Sequence, residues 1–244
     1  MSEPRPHGFA LSRIARPDAR LVAYDWAWAR DNAGLIAENW RRRRAERPGL
    51  FDGPVLMACD CTVAEGACSV SLFETTYSRF IAYRDGGRPD GRVANAFAAL
   101  VPWTADGAVL LGEMGAHTAN AGQVYFPCGT PDLDDVRGEA VDLAGSAERE
   151  CAEETGLVPP ADAGTGWLLL RGEGQLAFLR PVLFPEDAAT LRARAQRHWA
   201  GQAQPELAGL VAARTLDDLD PARAHGFARA YLAAAFAGEP GTHP

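Results

Sequence analysis

The chain has 244 residues, 47% apolar and 23% charged, enough for a substantial core and too apolar for wholesale disorder. A formal net charge of −8 excludes a nucleic-acid polymer as partner, because phosphate contacts require a basic face. No run approaches the ~20 apolar residues of a membrane span.

Met1 to Pro6 lack the apolar core of a secretion signal. Five cysteines, an odd number, suit a reducing cytoplasm better than a disulfide framework. The absence of lysine beside abundant alanine points to a GC-rich, bacterial genome, so arginine counts carry little functional weight.

In chain order, residues 1–22 read as an irregular or extended lead-in rich in Pro and Arg. Asp25 is placed to cap a long helix reaching Glu46, with Trp26, Ala29, Ala33, Ile36 and Trp40 as its apolar stripe. Arg41 to Arg44 then sit where positive charge favours the carbonyl end, as a solvated last turn. Short strands are expected over 55–58 and 69–73, with a helical turn over 75–80. Cys59-X-Cys61 and Cys68 lack the spacing of a zinc site and read as small buried side chains. The breaker cluster 84–91 sets a boundary between an N-terminal α+β extension, 1–92, and a second unit, 93–244.

The second unit opens on apolar runs at 96–102 and 108–112 around Thr104-Ala105-Asp106-Gly107, a hairpin signal. A loop of small residues, 114–122, leads into a strand at 123–126. His117, Thr118 and Asn120 in that loop could donate to a phosphate or sugar, or simply face water. Later come a strand pair, 167–171 and 175–183, turning at Gly172-Glu173-Gly174, and a helix capped by Glu186-Asp187 that runs to His198. An apolar run follows Pro205-Glu206-Leu207, and Asp220-Pro221 opens a final helix whose inner face is Phe227, Tyr231, Ala234 and Ala235. His198 and His225 read as solvent-facing.

The stretch that carries chemistry is Arg149-Glu150-Cys151-Ala152-Glu153-Glu154-Thr155-Gly156-Leu157. Its glutamates stand at i, i+3 and i+4 and share one face of a helix, where they repel one another in water. A divalent cation removes that repulsion, and oxygen-only ligands suit Mg²⁺ or Mn²⁺. Arg149, four residues before Glu153, can pair with it, and Gly156 stops the helix. A solvated acidic face is the plain alternative.

This stretch resembles the second half of the Nudix box, whose form is Gly, five residues, Glu, seven residues, then Arg-Glu-U-X-Glu-Glu-X-Gly-U with U apolar. Cys151 and Leu157 fill the U positions. The first half departs from the pattern. Eight residues before Arg149 stands Val141 where the family has Glu, and Asp142 or Glu139 could replace it. Phe126-Pro127-Cys128-Gly129 is similar to the family's Phe-Pro-Gly-Gly turn, with Gly129 as the opening glycine. From Gly129 to Leu157 is 29 residues, six more than the pattern spans. Upstream, Pro48-Gly49-Leu50-Phe51-Asp52-Gly53 followed by Thr76-Tyr77-X-X-Phe80 more loosely resembles the N-terminal region of eukaryotic Nudix enzymes acting on UDP-glucose and UDP-galactose.

The resemblance implies a Nudix-type α/β/α sandwich with the N-terminal extension packed against it. It also implies Mg²⁺-dependent hydrolysis of a nucleoside diphosphate linked to another group, with a nucleotide sugar as the favoured substrate. In that reading Glu150, Glu153 and Glu154 hold the metal and Arg149 orients them. Glu150 or a later acid such as Glu206 takes a proton from the attacking water, while His117, Asn120 and Gly129 lie against substrate. A cytoplasmic protein, alone or as a homodimer, is expected. The competing expectation is a module that binds nucleotide sugars without turning them over, because the first half of the box is stretched.

Overall fold

The computed structural model describes residues 8–161, 163 and 166–244, so residues 1–7 of the expected lead-in lie outside it. The fold is mixed α/β, with two sheets and six α-helices among the described residues. The larger sheet holds β1 (Phe9–Ile14), β5 (Asn95–Trp103), β6 (Val109–Met114), β7 (Val124–Tyr125), β8 (Cys128–Gly129), β11 (Trp167–Gly172), β12 (Gln175–Leu183) and β13 (Leu207–Ala213). Its main path runs β1-β11-β12-β5-β6-β13. The smaller sheet runs β3-β4-β2-β10-β9, from β2 (Asp18–Leu21), β3 (Pro54–Ala64), β4 (Ala67–Thr76), β9 (Val136–Arg137) and β10 (Ala140–Val141).

The large sheet is built on β5, whose residues 96 to 103 are all buried. It pairs in parallel with β12, which in turn pairs antiparallel with β11. A strand covered on both faces reads as a continuous apolar run, as the 96–102 segment does. The expected turn after β5 forms: Thr104 N–H donates to Ala108 O at 2.8 Å, and Gly107 adopts φ +77°. The expected β11–β12 pair also forms, turning at Glu173 and Gly174 with φ +50° and +67°.

The small sheet lies between two cores. Val55, Met57 and Phe73 face one way, into a cluster with Trp26, Ile36, Phe80, Ile81 and Tyr83. Leu56, Ala58, Val70 and Leu72 face the other way, into the core of the large sheet. This is strand alternation setting a layer on each side. The helices of the first cluster are α1 (Ala27–Asp31), α2 (Ala33–Glu46) and α3 (Tyr77–Asp85). The single helix expected from Asp25 to Glu46 is thus divided at Asn32, whose side chain donates to Trp28 O at 2.8 Å. Asp25 does not cap it; its carboxylate pairs with Arg30 instead. Ala33 is exposed, so the stripe narrows to Trp26, Ala29 and Ile36 with Trp40 half-buried. Arg43 in the expected solvated turn is tied down, with Nη2 2.7 Å from Asp85 of α3. The turn expected at 75–80 extends into a nine-residue helix.

Three further helices serve the large sheet: α4 (Leu143–Thr155), α5 (Ala188–Trp199) and α6 (Gly226–Phe236). Asp187 caps α5, accepting from Thr190 N at 2.8 Å. Asp220-Pro221 does not open α6. Asp220 accepts from Ala222 N at 2.9 Å in a separate turn, and the helix starts five residues later than Pro221, at Gly226. Phe97 and Trp103 of β5 meet α6 through Phe227 and Tyr231, the indole donating to the Tyr231 hydroxyl at 2.9 Å.

The C-terminal carbonyls of α4 would be orphaned by the helix's end. Two residues from the last turn of α5 satisfy them: Trp199 Nε1 donates to Glu154 O at 2.6 Å, and His198 Nε2 lies 2.8 Å from Glu153 O. His198 is therefore half-buried structure rather than a solvent-facing ring. Gly156 ends the helix with φ +70°, and a Cβ there would lie 2.8 Å from His198 Cβ. The left-handed conformation alone costs an L-residue about 1–2 kcal/mol. Gly156→Ala is expected to lower the melting temperature by roughly 3–8 °C, read by circular dichroism. An unchanged melting temperature would remove this account of how α4 ends.

Candidate active site

Helix α4 is buried along Leu143, Ala147, Cys151 and Thr155, a four-residue stripe against the sheet. The three glutamates fan out from that stripe at graded depth. Glu154 is 5% exposed, the Glu150 side chain 18% and the Glu153 side chain 61%. Successive helix residues turn by about 100°, so positions 153 and 154 diverge while 150 lies between them. The one face expected from spacing is real, but its rim faces water.

Arg149 joins the fan from outside. Its guanidinium stands 2.9 Å from Glu150 and 3.4 Å from Glu153, the i,i+4 pair expected from the sequence. Its other nitrogen donates to Asp135 Oδ1 at 2.9 Å. Asp135 is 4% exposed and also accepts from Ser146 Oγ at 3.1 Å and from Asp132 N–H at 3.2 Å. The acid that braces Arg149 is therefore Asp135, not Asp142 or Glu139. Asp142 is occupied as the N-cap of α4, accepting from Gly145 N at 3.1 Å, and pairs with Arg16 at 2.9 Å. Glu139 is exposed on the β9–β10 turn.

Counting forward from Gly129 would have found this residue. Five residues separate Gly129 from Asp135, the spacing of the box's first acid. The six surplus residues are 136–141, and they fold into the β9–β10 hairpin. Asp142 N–H donates to Asp135 O at 2.8 Å, so the hairpin leaves and rejoins the loop at one point. Counting back from Arg149 crosses this insertion and lands on the wrong residues.

Gly129 lies against the Glu150 carboxylate, where a Cβ would fall 2.6 Å from Oε1. Only glycine allows strand β8 to approach so closely. Burial, followed by the charges of Glu206 and Glu150, holds the Glu154 carboxyl well above its ordinary 4.5. The Cys128 backbone N–H stabilises its charged form, but Glu154 Oε2 is buried with no hydrogen-bond partner among the described residues. Burial likewise raises Glu150 and Glu206, and His117 opposes the rise at Glu206. Burial and the neighbouring glutamates push the Cys128 thiol up, so it stays neutral. Glu206, just before β13, thus belongs with Glu150 and Glu154 although it is remote in sequence. Among the described residues, no group of three or more His, Cys, Asp or Glu stands ready to hold a metal ion.

A cavity of about 310 Å³ opens beside these carboxylates, with Cys128, Gly129 and Glu206 in its wall. From the N-terminal segment, α3 contributes Tyr77, Phe80 and Arg84, and Arg88 follows. Thr118 and Asn120 line it as well, Asn120 donating to the Tyr125 hydroxyl at 3.0 Å. His117 is exposed and outside this wall, near enough to Glu206 for charge alone. His225, expected in solvent, is half-buried and lines the cavity, and sequence periodicity carried no sign of it. A larger cavity of about 580 Å³ lies over β3 and the β11–β12 turn. Its wall includes none of Glu150, Glu153, Glu154, Glu206 or Asp135, whereas the smaller cavity has Glu206 in its wall, and Glu153 with Arg149 and Asp135 lines a separate hollow.

No family model matches the chain, and neither does any curated protein. Among solved structures it is similar to a mutant of the Bacillus subtilis pyrophosphohydrolase BsRppH, at 18% identity and a TM-score of 0.28. That likeness covers 49% of this chain and 63% of the other, so the chain spans less than two-thirds of that enzyme's length. A likeness this faint carries no argument about activity, which therefore rests on the side chains themselves.

Two outcomes test the geometry. Asp135→Ala strips Arg149 and the buried Ser146 hydroxyl of their shared partner, and about 2–4 kcal/mol of stability should be lost, measured by urea unfolding. A loss near zero would mean that Arg149 is held elsewhere. The second test concerns Glu154, whose folded carboxyl binds its proton more tightly than the unfolded one. Its contribution is complete below the unfolded value of 4.5 and falls as pH rises. In a chelator, melting temperature should decline as pH rises above 4.5, and Glu154→Gln should flatten that decline and melt higher than wild type at the upper end. Parallel wild-type and variant curves would place Glu154 in water.

Proposed function

We propose that this protein is a divalent-cation-dependent pyrophosphohydrolase acting on a nucleoside diphosphate linked to another group, with a nucleotide sugar as the favoured substrate. The observation that carries the reading is Glu154 Oε2, buried without a partner among the described residues and within charge range of Glu150 and of Glu206, which lines the cavity. An uncompensated buried carboxylate is costly, and an all-carboxylate donor set fits a hard cation such as Mg²⁺ or Mn²⁺. Glu150 and Glu154 would hold the cation, with Glu153 turning inward from Arg149 to complete the set. When bound, the cation neutralises diphosphate oxygens and acidifies water.

The chain's own residues do the rest. Arg149, fixed by Asp135, holds Glu150 in register. Arg84 and Arg88 in the cavity wall offer positive charge to the phosphates, while Asn120 and Gly129 also bound the cavity. Glu206 accepts the proton of the attacking water, its raised affinity for protons bringing it toward the pH at which a general base works best. The preference for a sugar rests on the N-terminal resemblance, and Tyr77 and Phe80 of that resemblance wall the cavity from α3.

Phosphate release in the presence of added phosphatase, which frees phosphate from the monoester products, with Mg²⁺ across UDP-glucose, UDP-galactose, ADP-ribose and dinucleoside polyphosphates tests the proposal. Turnover is expected with UDP-sugars, and Glu153→Gln and Glu154→Gln should each lose on the order of 10²–10⁴ in rate with the circular dichroism unchanged. Mg²⁺ should also raise the melting temperature of the wild type and leave that of Glu154→Gln unmoved. Wild-type-like turnover in either variant would remove the assignment. The competing reading, a binding module without turnover, is favoured by the outward Glu153 and predicts nucleotide-sugar binding with no product.

A further inference from the structure

Two of the buried polar atoms without a partner among the described residues belong to residues lining the same cavity of about 310 Å³: Gln175 Oε1 and His225 Nδ1. Neither residue belongs to the carboxylate group. Gln175 opens β12 and His225 immediately precedes α6, so tertiary structure alone brings them together. Around them the walls are aromatic. Phe227 packs edge-on against Phe97 at 4.9 Å, and the His225 ring lies 5.1 Å from Phe227. Across the cavity, α3 presents Tyr77 and Phe80, whose ring centroids are 6.0 Å apart.

Buried polar atoms without partners destabilise a fold unless water or a ligand satisfies them. Burial and the positive charges of Arg84 and Arg88 keep His225 neutral, so its ring offers one N–H and one lone pair. The Gln175 amide offers an acceptor and two donors. Flat apolar walls with a mixed donor and acceptor edge match a planar heterocycle that carries N–H and C=O or ring nitrogen on its rim. An aliphatic group would leave both edge atoms unsatisfied.

We propose that this end of the cavity is a nucleobase subsite, with Gln175 and His225 reading the edge of the base and Tyr77, Phe80, Phe97 and Phe227 enclosing its faces. The proposal deepens the hydrolase reading, since Glu206 lies in the same cavity's wall, and it assigns the nucleoside rather than the second group to this end.

Calorimetry with the 5′-monophosphates of uridine, cytidine, adenosine and guanosine against ribose 5-phosphate, with and without Mg²⁺, tests it. These probes contain no phosphoanhydride, so they report on the subsite and not on hydrolysis. At least one nucleotide should bind ten-fold or more tightly than ribose 5-phosphate. Gln175→Met and His225→Phe should each cut that preference by five-fold or more and leave ribose 5-phosphate binding unchanged. Equal affinity for nucleotides and ribose 5-phosphate, or no nucleotide binding, would overturn the proposal in the wild type alone and leave the two atoms to water. Wild-type nucleotide affinity in both variants would overturn it as well. Nucleotide binding through these residues without turnover of any diphosphate would retain the subsite and reject the hydrolase. Turnover without base preference would do the reverse.

Discussion

The structure around α4 depends on one ion pair, Asp135 with Arg149. Arg149 sits among carboxylates, and its guanidinium is shared between Asp135, Glu150 and Glu153. Asp135 holds one end of it from a buried position, where a charge must be paired and hydrogen-bonded to be tolerated. That contact fixes the loop preceding α4 to the helix itself. It also leaves the second nitrogen of Arg149 to organise the glutamates, so Glu150 is held against Gly129 rather than swinging into solvent.

Because the loop is pinned at Asp135, it tolerates an insertion directly afterwards. Residues 136–141 form a hairpin whose ends are closed by the Asp142 to Asp135 backbone hydrogen bond. A hairpin that returns to its starting point adds little strain to what it interrupts. Its second strand then joins the smaller sheet: β10 pairs with β2, and Leu21 N–H donates to Glu139 O at 2.8 Å. The N-terminal segment is thereby joined to the smaller sheet through β2 and to the larger through β1. This ties the wall supplied by α3 to the carboxylates opposite it.

The cavity combines two unlike chemistries. Glu206 in its wall is within charge range of Glu150 and Glu154 behind it, and desolvation raises the proton affinity of all three. The same wall also holds aromatic rings and two arginines drawn from the N-terminal segment. A ligand with an anionic centre can satisfy both only if positive charge intervenes near the carboxylates, which is the role assigned to a cation. The depth gradient from Glu154 to Glu153 follows the helix's angular period and not a difference in residue type.

The sequence by itself determined the elements with strong local signals. The apolar run of β5, the Thr104–Gly107 turn, the β11–β12 pair, the Asp187 cap and the Gly156 stop were all legible because each rests on neighbours along the chain. So did the common face of Glu150, Glu153 and Glu154, which needs only helical periodicity. Local signals misjudged the start of α6 and the continuity of α1 with α2, where a side chain found a different partner: Asp220 in a turn, Asp25 with Arg30, Asn32 with Trp28. Asp135 was legible by counting forward from Gly129, and only the β9–β10 insertion hid it from the count back. Only the tertiary structure decided that Glu206 lies within charge range of the α4 glutamates, and that Gln175, His225 and α3 line one cavity. Each of these unites residues from separate elements, and their spacing in the chain carries no record of where the sheets and helices bring them.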